Sequence, residues 1–315
     1  MPRTNIAGSR LDQPAGAVVR RVAEDELHLV REAIVAHRRA ARRALRKDSP
    51  KRRKRAARAL HDLRIALRHM MAWFEVAEPV IGKPLAKRDR RPWRRLARRA
   101  GEVRDLHVLT AWLDVIDATT ATGKAAARFA EAQRALLARA DRRLERQHDA
   151  IASDDVRALL RWTRRSRGAA RHGEEPFAAA MADALRARED EIAAAIAAWT
   201  RDDCDQHAHA LRLAVKRMRY LLSHLAADCP DAEAPEQAFA VAQDALGRLH
   251  DAHGRLARLS GASEPLLTQR ARRALAATAR TAARQASARA LVAPRTAARR
   301  LAASLGARGR SRGGA

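Results

Sequence analysis

Apolar residues return along this chain at spacings of three and four, and nowhere alternate as in a strand. Between Asp205 and Ala227, Leu211, Val215, Met218, Leu222 and Leu225 fall on one face of a helix. The same periodicity predicts helices over 18–46, 52–78, 92–118 and 124–152, with a short one over 153–166. A second series follows at 177–200, 205–227, 236–259 and 265–304, the last interrupted near Pro294. Turns and loops at 47–50, 79–91, 119–123 and 229–235, and a linker at 168–176, separate them with Gly, Pro, Ser, Thr and Asp. Pro92 suits a first helical turn, and Ser153-Asp-Asp155 supplies caps. Residues 1–17 are expected to be a flexible arm, and the Arg-Gly-rich stretch 305–315 a disordered basic tail. The fold class is all-α, with a first helical bundle over about 18–167 and a second over about 176–304.

Polar positions add a second pattern. His209, Arg212, Lys216 and Arg219 sit at i, i+3, i+7 and i+10, a single-sign stripe beside the apolar face. Cations held in register repel one another, which points to an anion that neutralises them. The stripe has an earlier copy. His61-Asp-Leu-Arg-Ile-Ala-Leu-Arg-His-Met70 matches His209-Ala-Leu-Arg-Leu-Ala-Val-Lys-Arg-Met218 at His61, Leu63, Arg64, Ala66, Arg68 and Met70. Downstream, Gly101-Glu-Val-Arg-Asp-Leu-His107 matches Gly247-Arg-Leu-His-Asp-Ala-His253. Two motifs repeated in one order at one spacing indicate an internal duplication. Within the second motif, the glycines are expected to permit close helix approach, and Asp105 and Asp251 to orient arginines. Asp105 shares a helix face with Arg94 and Arg98.

Composition narrows the partner. Lys and Arg number 64 against 36 Asp and Glu, a formal charge of +28, while aromatic residues are only 3%. Such a chain attracts polyanions, but has few rings on which to stack bases. Two cysteines form no disulfide framework, and no run has the length of a signal peptide or a membrane span. A cytoplasmic location without membrane insertion is therefore expected.

His-x-x-Arg-x-x-x-Arg from His61 and His-x-x-Arg-x-x-x-Lys-Arg-x-Arg-Tyr from His209 resemble the signature of the CHAD domain, a histidine-bearing α-helical domain. The Gly-x-x-Arg-Asp and Leu-Gly-x-x-His-Asp segments resemble its other recurring pieces, so the likeness spans roughly 18–300. The resemblance implies two four-helix bundles related by a pseudo-twofold axis around a basic channel or cleft. It further implies non-catalytic binding of inorganic polyphosphate by a stand-alone module. By that resemblance His61, Arg64, Arg68, His209, Arg212, Lys216 and Arg219 line the channel. Arg94, Arg98, Arg104, His107, Arg217, His250 and His253 are secondary candidates. The first copy carries His69 and Met71 where the second has Arg217 and Arg219, which would make the halves contribute unequally.

The chemistry agrees with that implication. A polyphosphate chain has no bases to read, and its complement is a groove of rigidly mounted cations, with arginine making forked contacts and lysine acting as a point charge. Histidine at the end of a stripe adds a donor whose charge a bound anion can induce. No catalytic residue, metal site or cofactor is expected. A polyphosphate-metabolising enzyme or a storage granule is a partner compatible with such binding. Two alternatives stand beside it. The Lys51-Arg-Arg-Lys-Arg55 run and the basic tail would bind nucleic acid non-specifically at low salt. His61-Asp62, His148-Asp149 and His250-Asp251 could belong to an HD-type metal phosphohydrolase, although arginine around them would repel a dication.

Overall fold

A computed structural model describes residues 10–46, 49–81, 85–116, 119–149, 153–164, 174–202, 204–260 and 265–313. They form α1 (Ala15–Arg46), α2 (Pro50–Ile81), α3 (Lys87–Asp114), α4 (Ala121–Asp149), α5 (Ser153–Arg164), α6 (Phe177–Arg201), α7 (Asp205–Leu225), α8 (Glu233–Ser260), α9 (Pro265–Gln285) and α10 (Ala288–Gly313). Among the described residues there is no sheet, and none of the helices is long and apolar enough to cross a membrane. The apolar face anticipated on α7 is the buried one: Leu211, Val215, Met218, Leu222 and Leu225 are inaccessible to solvent.

Several helix ends differ from the expected ones for local reasons. Helix α2 begins at Pro50, whose fixed φ suits a first turn, and Ser49 caps it by accepting the Arg52 N–H at Oγ, 3.4 Å. The final helical stretch divides at Ala286–Ser287 and not at Pro294, which lies inside α10. Ser287 Oγ accepts the Ala290 N–H at 3.2 Å and so restarts the helix.

Each half contributes five α-helices among the described residues, where the sequence pattern predicted five and then four and the family resemblance implied four in each. Helix α1 packs on α2, α3 on α4, and α5 closes over α1 and α3. In the second half α6 packs on α7, α8 on α9, and α10 closes over α6 and α8. Between the halves α1 meets α6, α2 meets α7, α3 meets α8 and α4 meets α9. One core runs through both halves, with Leu63, Leu67, Met70 and Trp73 of α2 in the same cluster as the α7 face. A smaller core joins Leu109, Leu113 and Ile116 to Leu259, Leu267 and Ala271 at the far end.

Both termini are more ordered than their composition implied. Leu11 is buried in a 3-10 turn at Arg10–Asp12, so the expected arm is anchored from residue 10; residues 1–9 lie outside the described part. The starts of α1 and α6 bond to each other, Ala15 N–H to Glu175 O at 2.8 Å and Phe177 N–H to Gln13 O at 2.9 Å. The segment expected to be a disordered tail continues α10 to Gly313. A β-carbon added at Gly309 would stand 2.7 Å from Ala179 Cβ, so α10 rests on α6 where glycine removes the obstruction. Arg308 holds Asp12 with two hydrogen bonds of 2.8 and 2.6 Å. Composition misled here because the glycines serve packing.

Candidate anion-binding site

Helices α2 and α7 cross at the boundary between the halves and bring the two stripes into one cluster. Lys216 is pushed down to about 7, first by burial and then by Arg68, Arg212, Arg64 and Arg217. The four strongest charges acting on it are therefore all cations, and they come from both halves. Arg64 is lowered to about 10 by burial, then by Arg68, with Asp105 opposing and Arg104 and Arg212 adding to the push. Arg212 is lowered by burial and Arg68, against the pull of Asp251 and Asp105. Its Nε is buried and meets no hydrogen-bond acceptor among the described residues. An unmet guanidinium donor inside a crowd of like charges marks where an anion would be stabilised.

Tyr220 is the polar contact that ties the stripes together. Arg68 Nη1 donates to its hydroxyl at 3.2 Å, and Lys216 Nζ stands 5.9 Å from its ring centroid. It lies one helical turn beyond Lys216, and that spacing is the signal by which the sequence could have assigned it a place here.

The histidines border the cluster. His61 is exposed on α2 and lowered by burial and by Arg104. His209 is lowered by burial, Arg212 and Lys216, and its ring lies 5.4 Å from that of His250. Burial, Arg212 and His209 lower His250 in turn. His253 Nδ1 is 2.7 Å from an Asp205 carboxylate oxygen. His107 adjoins Arg104, but it also acts on His37, which packs edge-on against His148 at 5.3 Å. Burial and Arg104 push His107 down to about 4, so it belongs to the interior of the first half.

Other expected members lie elsewhere. Arg219 Nε donates to Glu236 Oε1 at 2.7 Å, and Arg217 pairs with Glu191 and with Glu75, the latter at 3.4 Å. Both guanidiniums are thus committed to acids. Arg94 and Arg98 are exposed on α3, and Arg94 acts on Arg90. The charges felt by Asp105 are Arg64, Arg258, Asp251 and Arg212, in place of the Arg94 and Arg98 suggested by its helix face. A cavity of about 350 Å³ opens beside it between α3 and α8, lined by Asp105, His250, Asp251, Gly254, Arg255 and Arg258.

The glycines of the second motif do not mediate close packing. A β-carbon built at Gly101 or Gly247 meets nothing within 4 Å. Each lies one turn before its aspartate, so it leaves space on the face that carries Asp105 or Asp251. The three His-Asp pairs, on α2, at the end of α4 and on α8, supply no member to a group with metal-ligand spacing among the described residues. The groups of described residues with metal-ligand spacing are different ones, Glu26 with His69 and His224, and Asp202 with Cys204 and His207.

The family model described as the CHAD domain matches residues 36–260. A crystal structure of the CHAD domain from the plant Ricinus communis is similar over 95% of this chain and 96% of that one, with a TM-score of 0.62 at 19% identity. At that identity the likeness is one of fold. No curated protein matches the chain.

Proposed function

The chain belongs to the CHAD domain family, and from that premise we propose that it binds inorganic polyphosphate, without catalysis, in a basic cleft between its two halves. The observation that carries the proposal is the shared cluster: Arg64 and Arg68 from α2 with Arg212 and Lys216 from α7, where burial, and after it the repulsion of these arginines, pushes Lys216 to about 7. A polyanion would relieve that repulsion, and polyphosphate offers a charge at nearly every unit with no base to accommodate. We read the halves as pseudo-twofold copies, since α1 meets α6, α2 meets α7, α3 meets α8 and α4 meets α9, with α2 also touching α6. The cleft then has two equivalent walls, α2 with α3 and α7 with α8. His61, His209 and His250 would flank the bound chain, and Arg104 would extend its path along α3. Binding of this kind would suffice to carry the protein to polyphosphate granules or to an enzyme acting on the polymer.

Non-specific nucleic-acid binding is favoured by one observation, the exposure of Lys51, Arg53, Lys54 and Arg55 on the first turns of α2. Competition between long-chain polyphosphate and labelled duplex DNA at about 150 mM salt, where screening suppresses exposed charge, separates the two. Polyphosphate should bind more tightly, and Arg64→Ala/Arg68→Ala/Arg212→Ala/Lys216→Ala should abolish it. Neutralising 51–55 with glutamine should weaken DNA binding alone. Equal affinity for both ligands, lost on neutralising 51–55, would replace this proposal with the nucleic-acid one.

A further inference from the structure

Behind Tyr220 lies a corner of the first half that departs from its counterpart in the second. Glu26 of α1 is buried there beside two histidines, whereas the acids that meet Arg217 of α7 are the half-buried Glu191 and Glu75. In the second half Glu191 is met by Arg217 and by Arg188, the latter at 2.8 Å. The residue aligned with Arg217 in the first half is His69, which cannot supply a permanent charge. A second imidazole stands beside it: the rings of His69 and His224 are 5.5 Å apart, and His224 Nδ1 is 3.7 Å from Glu26 Oε1. One ligand atom from each of Glu26, His69 and His224 lies within 4.8 Å of the other two. Glu26 and His224 are each only 5% exposed. A groove of about 1020 Å³ along α1 and α2 reaches Glu26 and His69 from outside, with Glu32 and Asp62 among its lining residues and Arg31 and Arg39 as its cations.

We propose that Glu26, His69 and His224 form a binding site for a divalent transition-metal ion of the Zn²⁺ class. Zn²⁺ bonds of about 2.0–2.2 Å to nitrogen and oxygen place tetrahedral ligands about 3.4 Å apart, so the Glu26–His224 pair at 3.7 Å is already near that spacing and His69, within 4.8 Å, must draw in. Two imidazoles and one carboxylate suit zinc or cobalt; Ca²⁺ and Mg²⁺ require more oxygen ligands. Water from the groove fills the remaining coordination. The dication sets a positive charge against the buried Glu26 carboxylate. Tyr220, 4.8 Å from the His69 ring, separates this site from the cationic cluster, so the ion does not share the polyanion's ligands.

Chelator-treated protein, free of polyphosphate, would be titrated with ZnCl₂ by calorimetry and with CoCl₂ by visible absorption. One equivalent should bind. His69→Arg, which installs the residue found at the matching position of α7, and the isosteric Glu26→Gln should each weaken binding by about 100-fold. Cys204→Ser/His207→Ala, which removes the exposed second group, should leave that equivalent unchanged. Absence of one-equivalent binding would overturn the proposal. So would wild-type affinity in both His69→Arg and Glu26→Gln, or loss confined to the Cys204→Ser/His207→Ala protein.

Discussion

Helices α2 and α7 carry two copies of one motif, and the structure separates the positions where they agree from those where they differ. Arg64 and Arg212, and Arg68 and Lys216, are the matched cations, and they meet across the boundary in one cluster. Arg217 and Arg219 have no cationic match in α2, and each is held by acids, Glu75 and Glu191 or Glu236. Their counterparts His69 and Met71 face Glu26 with His224, and the core, respectively. The matched positions thus supply two cations from each half to the cluster, while the unmatched arginines are paired with acids, Arg217 with one from each half.

The comparison can be broken most forcefully at the matched positions. Arg64→Ala/Arg212→Ala removes one forked donor from each wall, and polyphosphate affinity at about 150 mM salt should fall by about 100-fold. A smaller effect should appear in the protons. Lys216, near 7 when unliganded, is partly neutral at physiological pH, and a bound polyanion favours its charged form. Binding at pH 7.5 should therefore take up a proton, seen as a calorimetric heat that varies with buffer ionisation enthalpy and absent in Lys216→Met. The same shift sets a stability trend. The folded value of about 7 lies below the ordinary 10.5, so the unfolded chain holds that proton more tightly. This group's destabilisation is full below about 7 and fades as pH rises toward 10.5, so the unliganded wild type should gain stability over that window relative to Lys216→Met.

The positions where the copies differ should respond weakly. Arg217→Ala/Arg219→Ala should change polyphosphate affinity only a few-fold and lower stability by about 1 kcal/mol, as expected for half-exposed pairs. The glycines sharpen a second contrast. Gly101→Ala and Gly247→Ala meet open space and should stabilise the fold by up to about 1 kcal/mol each in denaturant titrations. Gly309→Ala, pressed against Ala179, should destabilise it instead.

Periodicity was enough to place nearly every helix, because an amphipathic stripe such as Leu211 to Leu225 must be buried whatever it packs on. It was also enough to find the matched cations, since the repeated motif marks the positions that α2 and α7 share. Pairing across the fold was not legible. Nothing near Arg219 in sequence announces Glu236 on the next helix, so its charge counted toward a stripe from which structure withdraws it. The glycine signal was misleading for the same reason: Gly101, expected to permit close helix approach, faces open space, and Gly309, expected in a disordered tail, faces a helix backbone. At the C-terminus, Arg-Gly composition resembled a disordered segment because Ala179, the surface that receives Gly309, lies far earlier in the chain.

The central claim is that one polyphosphate site is shared by both halves. Titrating long-chain polyphosphate against Arg64→Ala/Arg68→Ala and, separately, Arg212→Ala/Lys216→Ala tests it directly. A shared site predicts that both variants lose affinity, each by about 30-fold or more, with factors that agree within about threefold. If one pair abolishes binding while the other leaves it at the wild-type value, the polymer is held by a single half, and the facing stripes are not one cleft.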